Sequence, residues 1–265
     1  MSAPYDKLYE HFDSPLMRQL RAEAYGGKDI GQHSWVTAEE LLADIAKLKL
    51  SPESHLLDLG CGPAGPLTFI AAKTKCTAVG LDVSANAIDA ARARAASLGL
   101  SERITLQQAD LNEALPFNAA GFHAVLSIDV ILHLRDRSAV FREVFRVLVP
   151  GGTFLFTDAG VITGPVSSEE IQKRTPHGYA QFVPSGINEQ LLERAGFRVT
   201  DRTDLTDTMI KSAAGRLAAR TSHESELENL EGRSTFERQQ QYLQTVQALA
   251  ERGALSRIMY IAEPS

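Results

Sequence analysis

Strands and helices alternate along this chain as in a doubly wound α/β sheet. Three features predict it. An apolar run breaks into a glycine turn and a helix at Leu56-Leu57-Asp58-Leu59-Gly60-Cys61-Gly62-Pro63-Ala64-Gly65, acids close the next two apolar runs, and the alternation continues to the end of the chain. The second strand, Cys76–Leu81, ends at Asp82. Ser84 then caps a helix whose apolar face is Ile88, Ala91, Ala95 and Leu98, stopped by Gly99. A third strand, Arg103–Gln108, is followed by Ala109-Asp110-Leu111, and a fourth spans Phe122–Ile128. Ser138 to Leu148 reads as a helix with Val140, Val144, Val147 and Leu148 on its buried face. Pro150-Gly151-Gly152 turns the chain into a fifth strand, Thr153–Thr157, which ends at Asp158. Ser185 is expected to cap a helix through Leu191, Leu192 and Ala195, closed by Gly196, before a strand at Phe197–Thr200. Leu255–Ala262 reads as the last strand.

The glycine turn implies a nucleotide-cofactor site, because Gly60 and Gly62 can take positive φ and let backbone N–H groups approach a ligand. With Gly65 they satisfy the generic pattern G-x-G-x-x-G, so the glycines alone do not choose a cofactor. Asp58 does. A carboxylate just before the loop suits a ligand with an amino group and would repel a pyrophosphate at the same helix N-terminus. S-adenosylmethionine carries an ammonium, a sulfonium and no phosphate. Asp82 stands where a doubly wound fold puts an acid for the ribose diol.

The ten residues Leu56–Gly65, with Asp82 and Asp110 at the next strand ends, resemble the motifs of class I S-adenosylmethionine-dependent methyltransferases. The resemblance covers roughly Ser54 to Thr203. It implies a Rossmann-like, mostly parallel sheet with a late antiparallel strand and helical lid insertions. It also implies that Asp110 accepts from the adenine amine, that Val83 and Leu111 beside the two acids belong to the cofactor site, and that Ser127 and Asp129 line the methionine end. An NAD-dependent oxidoreductase would share the glycines but usually has an apolar residue in place of Asp58. Nucleic-acid amino-methyltransferases typically show Asn/Asp-Pro-Pro-aromatic after the fourth strand, where this chain has Ser127-Ile128-Asp129-Val130.

Three segments fall outside that core. Residues 1–50 hold Tyr5, Tyr9 and Phe12, then a glycine-rich run ending at Trp35, and resemble the N-terminal lid of methyltransferases acting on amines, sugars and natural products. Trp35 is either a cover over the cofactor or a core anchor. Residues 161–184 are punctuated by glycine and proline, and 205–254 are polar and helix-compatible; both are expected to cover substrate on a catalytic domain of 51–265. His133, just past the fourth strand, is the candidate general base, and Asp158 the acid expected to pair with its imidazole, as in some sugar and natural-product O-methyltransferases. In other relatives a histidine here packs beside the cofactor, and both roles stay open. His33 and His177 lie in the proposed lids.

Composition agrees with a small-molecule enzyme; the resemblance implies methyl transfer to an oxygen or nitrogen, with carbon left open. A 265-residue chain with 44% hydrophobic residues is enough for one catalytic domain with insertions. Acids outnumber bases 33 to 27 with no basic cluster, so neither nucleic acid nor an anionic membrane is expected as partner. No apolar run reaches membrane-spanning length and Met1–Asp6 lacks a leader pattern, which predicts a cytoplasmic protein. Cys61 and Cys76 form no framework, and Asp201, Asp204 and Asp207 lack the glycine turn of a calcium loop, so no metal is expected. The acceptor and the oligomeric state stay open.

Overall fold

The computed structural model describes residues 3–176 and 178–265. His177 lies outside them. The N-terminal region holds α1 (Ala3–Tyr9), α2 (Pro15–Ala24) and α3 (Ala38–Lys47). The sheet units follow: β1 (His55–Leu59), α4 (Gly65–Thr74), β2 (Thr77–Asp82), α5 (Ala85–Ser97), β3 (Ile104–Gln108), β4 (Phe122–Ile128), α6 (Arg137–Val147) and β5 (Leu148–Ile162). The rest comprises α7 (Ser168–Lys173), β6 (Val183–Pro184), α8 (Ile187–Arg194), β7 (Phe197–Asp204), α9 (Thr206–Ser222), α10 (Glu224–Glu231), α11 (Arg233–Glu251) and β8 (Leu255–Pro264).

The main sheet runs β3-β2-β1-β4-β5-β8-β7, with the short β6 paired to the end of β5. Neighbouring strands from β3 to β5 are parallel, and β8 is antiparallel to both β5 and β7. The expected doubly wound sheet with a late antiparallel strand is therefore present. Its order reverses between β1 and β4, which opens a crevice outside their carboxyl ends, the usual ligand position in such sheets.

Both faces of the sheet are covered, so its central strands are buried on both sides over most of their length instead of alternating between core and solvent. Leu56 packs with Leu67, Ile70 and Ala91 on the α4–α5 side, while Leu57 packs with Phe141, Val144 and Phe156 on the α6 side. A third cluster joins Trp35 and Ala159 to Met209, Ala213, Leu243 and Val246, and so fixes α9 and α11 to the sheet edge.

Several expectations change at element ends. Leu98 is 55% exposed, because the helix closes at Ser97 and Gly99 takes φ +67° one residue later. Leu148 opens β5, and Pro150-Gly151-Gly152 lies within that strand at an irregularity opposite Phe122–Ala124. The cap of α8 is Gly186 at φ +93°, not Ser185, whose hydroxyl instead accepts from Arg202. Strand β7 continues four residues past Thr200, because β8 pairs with it to Asp204. Strand β5 likewise runs on to Ile162, so Asp158 lies inside it and not at its end.

Candidate active site

A cavity of about 300 Å³ occupies the crevice. Its sheet side is made by Asp58 near the end of β1 and Gly60, Cys61 and Gly62 after it, Asp82 closing β2 with Val83 beyond it, Asp110 and Leu111 after β3, and Ile128 and Asp129 at β4. Its cover comes from Tyr5, Tyr9, His33, Ser34 and Trp35, from Arg174 and Tyr179, and from Arg216 and Tyr242 on α9 and α11. His133 sits between the two sets, in the turn after β4.

The glycine turn is forced by crowding as well as by φ. Gly60 has φ +76°, its N–H donates to the Leu81 carbonyl at 2.8 Å, and a Cβ there would run into the Val130 side chain. Gly65 serves differently: a Cβ there would strike the Gly31 backbone, so the third glycine admits the N-terminal segment against α4. Tyr9 approaches Gly62, where an added Cβ would stand 3.2 Å from the phenol oxygen.

The three acids are held in different states. Asp58 is 3% exposed and has no hydrogen-bond partner among the described residues; burial, with Asp82 nearby, pushes its carboxyl up to about 8. Asp82 accepts the N–H groups of Gly62 (2.8 Å) and Ser84 (2.9 Å). Burial raises its pKa, and those N–H groups pull it back only in part. Asp110 accepts twice from Asn112, backbone and amide, which holds its carboxyl below the ordinary range.

Two expected residues lie elsewhere. Ser127 is fully buried within β4, where it still pairs with Phe156 of β5, and its hydroxyl donates to the Leu59 carbonyl of β1 at 3.2 Å. Asp129, two residues on at φ +58°, reaches the cavity instead. Asp129 accepts from the Trp35 N–H (3.0 Å), the Thr157 hydroxyl (2.8 Å) and Arg257 Nε (2.8 Å). Arg257 is 0% exposed and also binds Glu40, whose burial pushes its carboxyl up to about 7 against that pull.

Asp158 does not pair with His133. Its carboxylate is wholly buried and accepts from Arg137, from Asn188 Nδ2 (2.8 Å) and from the Gly160 N–H (2.8 Å). The partner of His133 is a backbone group: Nδ1 lies 3.1 Å from the Tyr179 carbonyl oxygen. A carbonyl only accepts, so Nδ1 carries the hydrogen and Nε2 is left basic. Burial lowers the imidazole pKa more than this bond raises it, which keeps the ring neutral near pH 7.

Trp35, Asp58, Gly60, Gly62, Asp82, Val83, Asp110, Leu111 and His133 thus converge on one cavity, and His33 joins them. Sequence reasoning did not single out Arg174, Arg216, Tyr179 or Tyr242. They come from segments distant in the chain, and no local spacing links them.

The fold and this crevice define a class I S-adenosylmethionine-dependent methyltransferase. The chain belongs to the methyltransferase-domain family, whose model matches residues 50–201. It is 31% identical over 167 residues to the methyltransferase GfsG of Streptomyces halstedii, covering 61% of this chain and 59% of that protein. It is 33% identical over 177 residues to phosphoethanolamine N-methyltransferase 1 of Arabidopsis thaliana, covering 65% of this chain and 35% of that one. The chain therefore matches less than two thirds of the length of these relatives. The cyclopropane synthase MmaA2 of Mycobacterium tuberculosis superimposes with a TM-score of 0.81 at 20% identity, over 98% of each chain, a likeness of fold.

Proposed function

We propose that this protein methylates an oxygen or nitrogen of a small molecule, with His133 as general base. The observation that carries the reading is the convergence of Asp58, Asp82 and Asp110, from three strand ends, on the cavity of the glycine turn. These residues fit the cofactor. The unpartnered Asp58 suits the ammonium, Asp82 the ribose diol and Asp110 the adenine amine, with Val83 and Leu111 as apolar walls. When bound, S-adenosylmethionine supplies an electrophilic methyl group on a sulfonium.

The chain's own task is then to hold the acceptor in line, exclude water and remove a proton. Positioning contributes about 7–11 kcal/mol in favourable cases. The enclosure by Trp35, Tyr5 and Tyr9 serves water exclusion, and the basic Nε2 of His133 accepts the acceptor's proton.

The cofactor assignment is tested by calorimetry. Asp82→Ala should weaken S-adenosylmethionine binding by about 1.5–3 kcal/mol, the scale of hydrogen bonds to a charged group. Unchanged affinity in a folded variant would remove Asp82 from the site, and tight binding of NAD by the unaltered protein would overturn the cofactor.

We further propose that residues 1–50 form a lid on the catalytic domain of 51–265, and that 161–184 and 205–254 cover the acceptor. The part that opens ends near Trp35, since Val36, Leu41 and Leu48 pack in the main core. Helix α1 is tied down by light contacts: the Ser84 hydroxyl donates to Asp6 (2.6 Å) and the Asn86 amide to the Asp6 carbonyl (3.0 Å). Hydrogen exchange across residues 3–35 should slow when S-adenosylhomocysteine is added. Equal exchange with and without ligand would make this segment a fixed wall.

A further inference from the structure

Arg174 and Arg216 carry charges in the cavity for which methyl transfer itself has no use. Arg174 follows α7 and is 4% exposed; its guanidinium donates to the Tyr242 hydroxyl (3.1 Å) and the Ala159 carbonyl (3.1 Å). Arg216 donates to the His33 carbonyl at 3.3 Å. Both guanidinium carbons approach one ring, standing 5.8 and 5.0 Å from the centroid of Trp35. Every one of these partners is neutral, and neither arginine forms an ion pair among the described residues.

A buried guanidinium has lost hydration, and neutral acceptors and ring faces replace only part of it. Asp129, an acid of the same lining, is already engaged by Arg257, Thr157 and Trp35. Asp58, Asp82 and Asp110 lie at the ends of β1, β2 and β3. Two cations, preorganised by aromatic rings and lacking a counter-ion, are complementary to an oxyanion, which a guanidinium binds with two parallel hydrogen bonds.

We propose that the methyl acceptor carries a carboxylate or phosphate, bound by Arg174 and Arg216 beside the Trp35 and Tyr242 rings. This rests on the methyl-transfer reading above and names its substrate class. The cofactor brings a carboxylate of its own. One carboxylate does not neutralise two guanidinium groups, so the pair still takes an anion from the acceptor.

Trp35 is the only tryptophan of the chain, so its emission reports on this site alone. The probes are inorganic phosphate and acetate, titrated into full-length protein saturated with S-adenosylhomocysteine, with ionic strength held constant by chloride. At least one anion should change the emission saturably. Arg216→Gln should weaken that response roughly tenfold or more, the loss expected for one charge-assisted contact, and Arg216→Lys should recover part of it. Saturation by phosphate alone identifies a phosphate ester, and by acetate alone a carboxylate.

Turnover supplies a second arm. In acceptor pairs that differ only in the anion, such as an amino acid against its amide or an alkyl phosphate against the free alcohol, the anionic member should release S-adenosylhomocysteine faster. The proposal is overturned by no saturable response to either anion, by an unchanged curve in Arg216→Gln, or by a response that S-adenosylhomocysteine abolishes, which would assign both arginines to the cofactor. Calorimetry of S-adenosylhomocysteine on the same preparation keeps the two readings apart. Its failure removes the methyl-transfer reading, while the anion titration of the unliganded protein still reports on the arginines.

Discussion

Asp158→Ala is expected to lower the free energy of unfolding by about 3–5 kcal/mol, the usual cost of removing one partner of a buried ion pair. Arg137 and Asp158 are 2% and 0% exposed, so neither water nor a second acid takes the place of the lost carboxylate. The cost goes beyond one bond, because Arg137 also donates to Asn188 Oδ1 (2.8 Å) and to the Gln181 carbonyl. Asp158 therefore ties the start of α6, the interior of β5, the start of α8 and the segment that carries Tyr179 into one unit. Chemical denaturation monitored by circular dichroism measures the effect. A midpoint equal to that of the unaltered protein would mean that Arg137 is satisfied without Asp158.

That cluster explains why Asp158 looked catalytic in the sequence. An acid after a run of five apolar or β-branched residues reads as a strand end, and strand ends in this fold face the crevice. In the structure β5 continues to Ile162, held by β8 and β6, and carries Asp158 into the interior. Ser127 failed for a related reason. Its distance from the crevice depends on where β4 loses its neighbours, and sequence locates such points only to within a residue or two.

Where local rules govern, the sequence was legible. The glycine turn, Asp58, Asp82 and Asp110 are each set by a strand meeting a loop, and Gly60 is required both by φ and by the contact with Val130. The cover was legible only as insertions. Tyr242, Arg174 and Arg216 meet around Trp35 because α9 and α11 pack on the sheet edge through Met209, Ala213, Leu243 and Val246, a tertiary outcome with no sequence period of its own.

His133→Ala is expected to lower kcat by roughly 10²–10⁴-fold, the contribution of a positioned general base, with little change in cofactor affinity. The structure replaces the acid once expected beside this imidazole with the Tyr179 carbonyl. That carbonyl fixes the same tautomer and adds no negative charge. The ring is then neutral by burial instead of being drawn toward its protonated form, and its pKa lies below the ordinary 6.5. Protonation destroys the base, so kcat should fall as the pH drops through that lowered value and stay level above it. The acidic limb should vanish in His133→Ala. Asp158→Asn should leave the limb in place and move it slightly lower, since the acid makes no hydrogen bond to the ring and only its charge favours the protonated form. Steady-state rates across pH, with a turnover-competent acceptor, decide the matter. Near-normal kcat in His133→Ala with the acidic limb intact would make His133 a packing residue, and catalysis would then rest on alignment alone.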